Sequence, residues 1–269
     1  MVRSRSGTRF YPEDCLSDTS NARFRARLER RKPLLGTLLT LPSPEIAEVM
    51  AAAGFDWLFI DMEHGLLDFA AVQRMMQAVS HSCPCIVRVP HNEPILIAKA
   101  LDTGAAGIIV PHVNTASEAR AAVRAAKYPP VGERSIGVAR AQGYGGRLQA
   151  AIAHDNDDTL IVAQVEHIAA VANIREIVGV PGISAVFIGP FDLSASLGKP
   201  GEIGAPDVQE AIAAIVSASA AKPLACGIFV VDGEAASREF GAGHSLVCAT
   251  TETLLLGQAA ADLVGRAKR

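Results

Sequence analysis

The sequence predicts an α/β fold, a TIM-type (β/α)8 barrel with an N-terminal helical extension, and three observations carry that prediction. From Pro33 onward, short apolar, β-branched runs alternate with Ala-rich amphipathic runs at a period of about 25–30 residues, with one long gap. Eight such runs are nearly continuous in apolar residues, as strands buried on both faces are. No G-x-G-x-x-G follows the first run, which weakens the alternative of an open doubly wound sheet. Strand and helix alternating eight times close a parallel barrel.

The expected strands are Leu34–Leu41, Trp57–Asp61, Cys85–Val89, Gly107–Pro111, Leu160–Val165, Ala185–Ile188, Ala225–Val231 and Ser245–Ala249. Helical patterns follow at Pro44–Ala53, Phe69–Ser80, Pro94–Thr103, Ala116–Ala126, Ala169–Val178, Pro206–Ala220, Glu234–Phe240 and Glu252–Arg266. Gly54, Gly104, Gly179 and Gly241 stand just past helix ends, where a left-handed cap favours glycine. The turn-rich segment Tyr128–Asp158 breaks the rhythm by about 30 residues and is expected to cover the active site, with a short helix near Arg147–His154.

Two regions result: an N-terminal extension, residues 1–32, and a barrel, residues 33–269. The extension carries nine Arg/Lys against four Asp/Glu and lacks the apolar stretch of a secretory signal. A tail followed by a helix at Asn21–Arg31 is expected there. Of the 269 residues 49% are hydrophobic and 20% charged, which excludes a disordered chain and supplies a sizeable core. The net charge of −3 argues against a nucleic-acid partner. No run approaches the roughly 18 apolar residues needed to span a bilayer, so no membrane partner is expected. The five cysteines, Cys15, Cys83, Cys85, Cys226 and Cys248, are odd in number, and most sit in apolar runs. Buried free thiols in a reducing, cytoplasmic setting fit that usage.

In a parallel barrel the reactive groups collect at the C-terminal ends of the strands. There the sequence places Asp61-Met62-Glu63-His64-Gly65, Arg88, Pro111-His112, Gln164-Val165-Glu166 and the run Gly189–Ser194. Glu166 and Asp192 suit a divalent cation, because Mg²⁺ and Mn²⁺ favour oxygen ligands; spacing alone equally admits two loop salt bridges. Asp61 and His64, three apart, fit a carboxylate that orients an imidazole base, against the alternative of a histidine bonded to a loop carbonyl. Arg88 lies in an apolar strand and must meet an anion, either an internal carboxylate or a substrate group. His112 reads as a packed loop residue, against the alternative of a donor standing behind one of these groups. The run from Gly189 opens a helical turn whose free N–H groups suit an anion, or which is simply capped by Asp192 or Ser194.

At these residues the chain resembles the HpcH/HpaI aldolase family, the metal-dependent class II pyruvate aldolases of the 4-hydroxy-2-oxoheptanedioate and 2-keto-3-deoxy sugar acid type. The resemblance runs from about Leu35 to Ala261. It rests on Ala-Gly-Phe-Asp-Trp-Leu-Phe-Ile-Asp-Met-Glu-His at 53–64, Val-Arg-Val-Pro at 87–90, Leu-Asp-Thr-Gly-Ala-Ala-Gly-Ile-Ile-Val-Pro at 101–111, Tyr-Pro-Pro-Val-Gly-Glu-Arg at 128–134, Gln-Val-Glu at 164–166 and Gly-Pro-Phe-Asp-Leu-Ser at 189–194.

The resemblance implies reversible cleavage of a 4-hydroxy-2-keto acid to pyruvate and an aldehyde, with a divalent cation (Mg²⁺, Mn²⁺ or Co²⁺) as Lewis acid. It makes Glu166 and Asp192 the metal ligands, Arg88 the group that stabilises the pyruvate enolate, and His64 the catalytic histidine with Asp61 as its partner. Gln164 would lie close to the keto acid, with Gly189 and Pro190 beside it, and Asp102 would reach a neighbouring subunit's site. Pairs of chains would exchange their last helix, and three pairs would form a homohexamer. Phe191 and Phe229 stand where smaller or aliphatic side chains can line the aldehyde pocket, so a tighter pocket for short aldehydes is expected. Lys99 and Lys127 are poorly placed for a Schiff base. The runner-up is an acyl-CoA lyase of the citrate-lyase-β or malyl-CoA lyase type; Asp-Met-Glu-His-Gly favours the aldolase.

Overall fold

Residues that alternate along each strand face two different apolar layers, and this two-sided burial accounts for the nearly continuous apolar runs. The computed structural model describes residues 20–79, 82–222 and 224–268. Helix α1 (Ser20–Glu29) precedes a closed barrel in which β1 (Leu34–Leu39), β2 (Trp57–Asp61), β3 (Cys85–Arg88), β4 (Gly107–Val110), β5 (Leu160–Val165), β6 (Ala185–Ile188), β7 (Ala225–Val230) and β8 (Leu246–Thr251) pair in sequence order. Every pairing is parallel, and β1 closes on β8.

Leu58, Ile60, Val87, Ile108, Val186 and Val247 point outward into the layer beneath the helices. Trp57, Phe59, Ile86, Ile109, Val162, Phe187 and Leu246 point inward and fill the barrel. The indole of Trp57 fits because position 36 is glycine; a Cβ there would stand 2.4 Å from the ring. Below it, Phe24 and Leu28 of α1 are 2% and 1% exposed and plug the N-terminal end of the barrel. Arg27 of the same helix pairs with Asp56 at 2.6 Å.

The outer helices are α2 (Pro44–Ala52), α3 (Phe69–Val79), α4 (Pro94–Asp102), α5 (Ala116–Ala126), α6 (Leu148–Asp158), α7 (Ile168–Ala172), α8 (Ile174–Ile177), α9 (Pro190–Ser196), α10 (Pro206–Ala220), α11 (Gly233–Gly241) and α12 (Glu252–Ala267). Their starts follow local chemistry: Ser43 caps α2, Thr115 and Glu118 form a capping box on α5, and Pro94 and Pro206 open α4 and α10. The single helix expected over Ala169–Val178 is two, divided at Asn173, whose side chain donates to the carbonyl of Asn114 at 2.9 Å. Gly54 and Gly104 adopt the positive φ of a helix stop, 99° and 91°; after α11 that role falls to Gly243 rather than Gly241, and Gly179 does not adopt it.

The segment expected to cover the active site lies at the other end of the barrel. A helix that follows a parallel strand returns toward that strand's start, so the chain leaving α5 emerges at the N-terminal end. There Arg134 pairs with Asp102 at 2.8 Å, Arg140 donates to the carbonyl of Thr103 at 2.7 Å, and Gln142 donates to Tyr128 Oη at 2.7 Å. The short helix anticipated at Arg147–His154 is α6, and it runs on to Asp158.

Helix α12 is tied down at its first residue. The buried Glu252 accepts from the backbone N–H groups of Thr40 and Leu41 at 2.6 and 2.7 Å. Beyond it every residue from Thr253 to Lys268 is exposed, including Leu256 and Leu263 at 63% and 65%. Among the described residues, no helix is long and apolar enough to cross a membrane. Cys83, Cys85, Cys226 and Cys248 are buried free thiols; Cys15 lies outside the described residues.

Candidate active site

The inward column of each strand ends at the C-terminal rim in a residue that no longer packs against the barrel interior alone. Two residues past Phe59 comes Asp61, two past Ile86 comes Arg88, and two past Val162 comes Gln164, followed two further on by Glu166. Asp61 and Arg88 are register partners on adjacent strands. Arg88 Nε donates to Asp61 Oδ1 at 2.8 Å and its Nη2 to Oδ2 at 2.6 Å, a two-point bond that suits the planar guanidinium. The guanidinium carbon lies 5.2 Å from the centre of the Phe59 ring. Burial pulls the Arg88 pKa down, but Asp61, Glu63 and Glu166 outweigh it and raise the value, so the charge is locked in place.

Asp61 Oδ1 also accepts from the backbone N–H groups of Glu63 and His64, at 3.0 and 3.4 Å, and so shapes the turn after β2. Gly65 allows that turn to close, since a Cβ there would sit 2.2 Å from the carbonyl oxygen of Asp61. The expected bond between Asp61 and the His64 imidazole is therefore not formed, because Arg88 and the backbone occupy the carboxylate. The imidazole is 68% exposed, and its Nε2 lies 4.0 Å from Glu63 Oε2.

Glu166 is buried. Its Oε1 accepts from the His112 backbone N–H at 2.8 Å and lies 3.1 Å from His112 Nδ1. Its Oε2 accepts from Gln164 Nε2, and Gln164 Oε1 in turn faces Arg88 Nη1 at 3.5 Å. Glu63 stands on the other side, 3.0 Å from Arg88 Nη1 and 3.2 Å from His112 Nε2. Burial, with repulsion from Glu166, raises its pKa against the opposing pull of Arg88.

Glu63, His112 and Glu166 offer ligand atoms that all lie within 4.8 Å of one another. The buried carboxylates Asp61 and Glu166 and the half-buried Glu63 face the guanidinium of Arg88, which Glu63 Oε2 meets as an ion pair at 3.0 Å. This excess of oxygen acceptors over positive charge fits a divalent cation.

A cleft of about 200 Å³ opens above these groups. Arg88, Gln164, His64, Gly189, Pro190, Phe191, Asp192 and Phe229 line it, with Leu38, Phe59 and Phe187 behind. Gly189 leaves room for the Glu166 carboxylate: a Cβ there would meet its Oε2 at 2.8 Å. Asp192, in the first turn of α9, is exposed and has no protein partner among the described residues, so neither it nor Glu166 forms the alternative salt bridge to a loop lysine or arginine. The rings of Phe191 and Phe229 lie 6.3 Å apart over the opening.

Asp102 is the one sequence-predicted site residue absent from this mouth. It ends α4 at the opposite face of its own barrel, bound to Arg134. Conversely, sequence reading gives Glu63 no role and prefers loop packing to a supporting-donor role for His112. The signal available for both was position alone: each stands within two residues of a strand's C-terminal end.

Residues 35–255 match the family described as HpcH/HpaI aldolase/citrate lyase. The chain is similar to 4-hydroxy-2-oxo-heptane-1,7-dioate aldolase of Escherichia coli, 37% identical over 246 residues that cover 90% of this chain and 94% of that protein. It is also similar to 4-hydroxy-2-oxovalerate aldolase of Novosphingobium aromaticivorans, 44% identical over 180 residues, 66% of this chain and 68% of that protein. A solved HpcH/HpaI aldolase/citrate lyase family protein from Burkholderia cenocepacia superposes with a TM-score of 0.88 at 34% identity, covering 92% of this chain and 99% of that one. The citrate lyase β subunit of M. tuberculosis shares the fold, with a TM-score of 0.56 at 16% identity over 83% of this chain and 93% of that one.

Proposed function

The chain belongs to the HpcH/HpaI aldolase/citrate lyase family, and from that premise we propose that it is a divalent-metal-dependent carbon–carbon lyase that reversibly cleaves a 4-hydroxy-2-keto acid to pyruvate and an aldehyde. The observation that carries this reading is the convergence of Arg88, Gln164, His64 and Asp192 on one cleft, directly above Glu166.

Glu166 and Asp192 would hold the cation, with the Glu63–His112 pair behind Glu166. Mg²⁺, Mn²⁺ and Co²⁺ all suit such an oxygen-rich site. Once bound, the cation supplies Lewis acidity at the keto oxygen of the substrate. Arg88 holds a fixed positive charge where the enolate oxygen develops, and Asp61 keeps that guanidinium from turning away. Gln164 orients the keto acid. Gly189 and Pro190 form the floor beside it.

His64, exposed at the mouth, takes the proton of the C4 hydroxyl, directly or through one water. The C3–C4 bond then breaks, the aldehyde leaves, and its electron pair becomes the enolate of pyruvate, which picks up a proton at C3. Phe191 and Phe229 wall the aldehyde end with apolar surface, which favours short, uncharged aldehydes.

Asp102 acts at the site of a neighbouring barrel in this reading, within a homohexamer built as a trimer of dimers that exchange α12. The support is the apolar face that α12 leaves uncovered, with Leu254, Leu256, Leu263 and Val264 between 48% and 65% exposed. A sedimentation measurement giving a monomer would contradict it. A reducing, cytoplasmic setting accords with the free buried thiols.

The test of the reaction is product formation. Pyruvate, followed by coupling to lactate dehydrogenase, is expected from 4-hydroxy-2-keto acids. Cleavage of malyl-CoA with no turnover of hydroxy-keto acids would replace this reading with the acyl-CoA lyase one.

A further inference from the structure

His112 occupies a place that ordinary loop packing does not explain. It is a non-glycine residue at a φ of 53°, a conformation that costs a side chain energy and survives where surrounding structure demands it. In that conformation its backbone N–H and its ring Nδ1 both meet the same oxygen, Glu166 Oε1, at 2.8 and 3.1 Å. Its other ring nitrogen meets Glu63 Oε1 at 3.2 Å, and the second oxygen of Glu63 meets Arg88 Nη1 at 3.0 Å. A continuous line of contacts thus runs Glu166–His112–Glu63–Arg88–Asp61.

We propose that His112 is a positioning residue that clamps Oε1 of Glu166 and so presents Oε2 to the divalent cation. The inference rests on reading Glu166 as a metal ligand. A backbone N–H donated to one carboxylate oxygen, with a ring nitrogen 3.1 Å from the same atom, restricts rotation of the carboxyl group about its last bond. Oε2, which also accepts from Gln164 Nε2, faces Gly189, the side on which the cleft opens. Groups that orient a ligand in this way contribute substantially to metal affinity. The arrangement also ties the ligand to Arg88 through Glu63, so the cation site and the enolate-stabilising charge share one framework.

Substitution by glycine isolates the ring. His112→Gly keeps the backbone N–H on Glu166 and relieves the positive φ, whereas His112→Asn tolerates that φ and restores a short polar side chain. Mn²⁺ binding, followed by the electron paramagnetic resonance of the free ion, is the readout. In His112→Gly the dissociation constant is expected to rise about 10–100-fold with the melting temperature unchanged or higher. His112→Asn should recover part of the loss. Affinity in His112→Gly within twofold of the parent would overturn the proposal. So would a ring nitrogen of His112 coupled directly to Mn²⁺ in pulsed spectra, since the residue would then be a ligand. A parent protein that binds no Mn²⁺ would instead overturn the metal reading beneath it.

Discussion

Arg88 and Asp61 meet at two points, 2.8 and 2.6 Å apart, at the inner mouth of the barrel, and their register on neighbouring strands brings them together. The pair holds a positive charge in a place where an unpaired one would be very costly. Arg88→Lys keeps the charge but not the fork, so kcat is expected to fall about 10²–10³-fold, the cost of losing one positioned donor. Asp61→Ala removes the two-point partner, leaving the guanidinium to Glu63 and Gln164, and is expected to cost about 3–5 kcal/mol of stability. Urea denaturation of both variants separates the effects: a large loss of stability in Arg88→Lys would mean that the arginine serves the fold rather than the reaction.

Gly189 is the position where space, not charge, governs the site. An added methyl would stand 2.8 Å from Glu166 Oε2 and 3.0 Å from its Cβ, inside contact distance. Gly189→Ala is expected to displace the carboxylate, weakening Mn²⁺ binding at least tenfold while circular dichroism and melting change little. Unaltered metal affinity would show that Glu166 has room to move without consequence.

The Phe191–Phe229 pair narrows the mouth with apolar rings and brings no cation to it. In the synthetic direction, short uncharged aldehydes are expected to react faster with pyruvate than long-chain ones or those bearing a second carboxylate. Phe229→Ala should shift the ratio of kcat/KM values toward longer aldehydes by about tenfold, the scale of a methylene or two in an apolar pocket. A parent protein that prefers the long aldehydes would contradict this account of the wall.

The buried thiols impose an alkaline limit on stability. Burial pushes Cys83 and Cys226 up to about 12, and it raises Cys85 and Cys248 as well. Above the ordinary thiol value of 9.0 the unfolded chain releases these protons while the folded chain keeps them. Stability present below pH 9 is therefore lost as pH climbs toward 12, by about 1.4 kcal/mol per pH unit for each thiol. Guanidinium denaturation between pH 9 and 10.5 should show that slope, and Cys226→Ala should lessen it by roughly one thiol's share. An unchanged slope would mean that Cys226 ionises in the folded protein.

Much of this molecule is legible in its sequence for a physical reason. Strands covered on both faces, such as β3 and β5, are expected to be apolar, so Arg88, Gln164 and, just past β5, Glu166 stand out as exceptions that have to be satisfied at the rim. The roles around them are harder to read. That Asp61 serves Arg88 rather than the His64 ring depends on register between β2 and β3, which no local spacing encodes. His112 depends on a positive φ after β4, a backbone turn with no periodic signature. The length of the segment after α5 suggests a lid, whereas the direction of the preceding helix sends it to the far end of the barrel.

The most direct test of the metal-dependent lyase reading is pyruvate release from a 4-hydroxy-2-keto acid before and after chelation. Treatment with EDTA should abolish it, Mn²⁺ or Co²⁺ should restore it, and Asp192→Asn should stay inactive with either ion. Full activity in EDTA, together with a borohydride-trapped adduct on a lysine, would contradict the account and make the protein a Schiff-base aldolase.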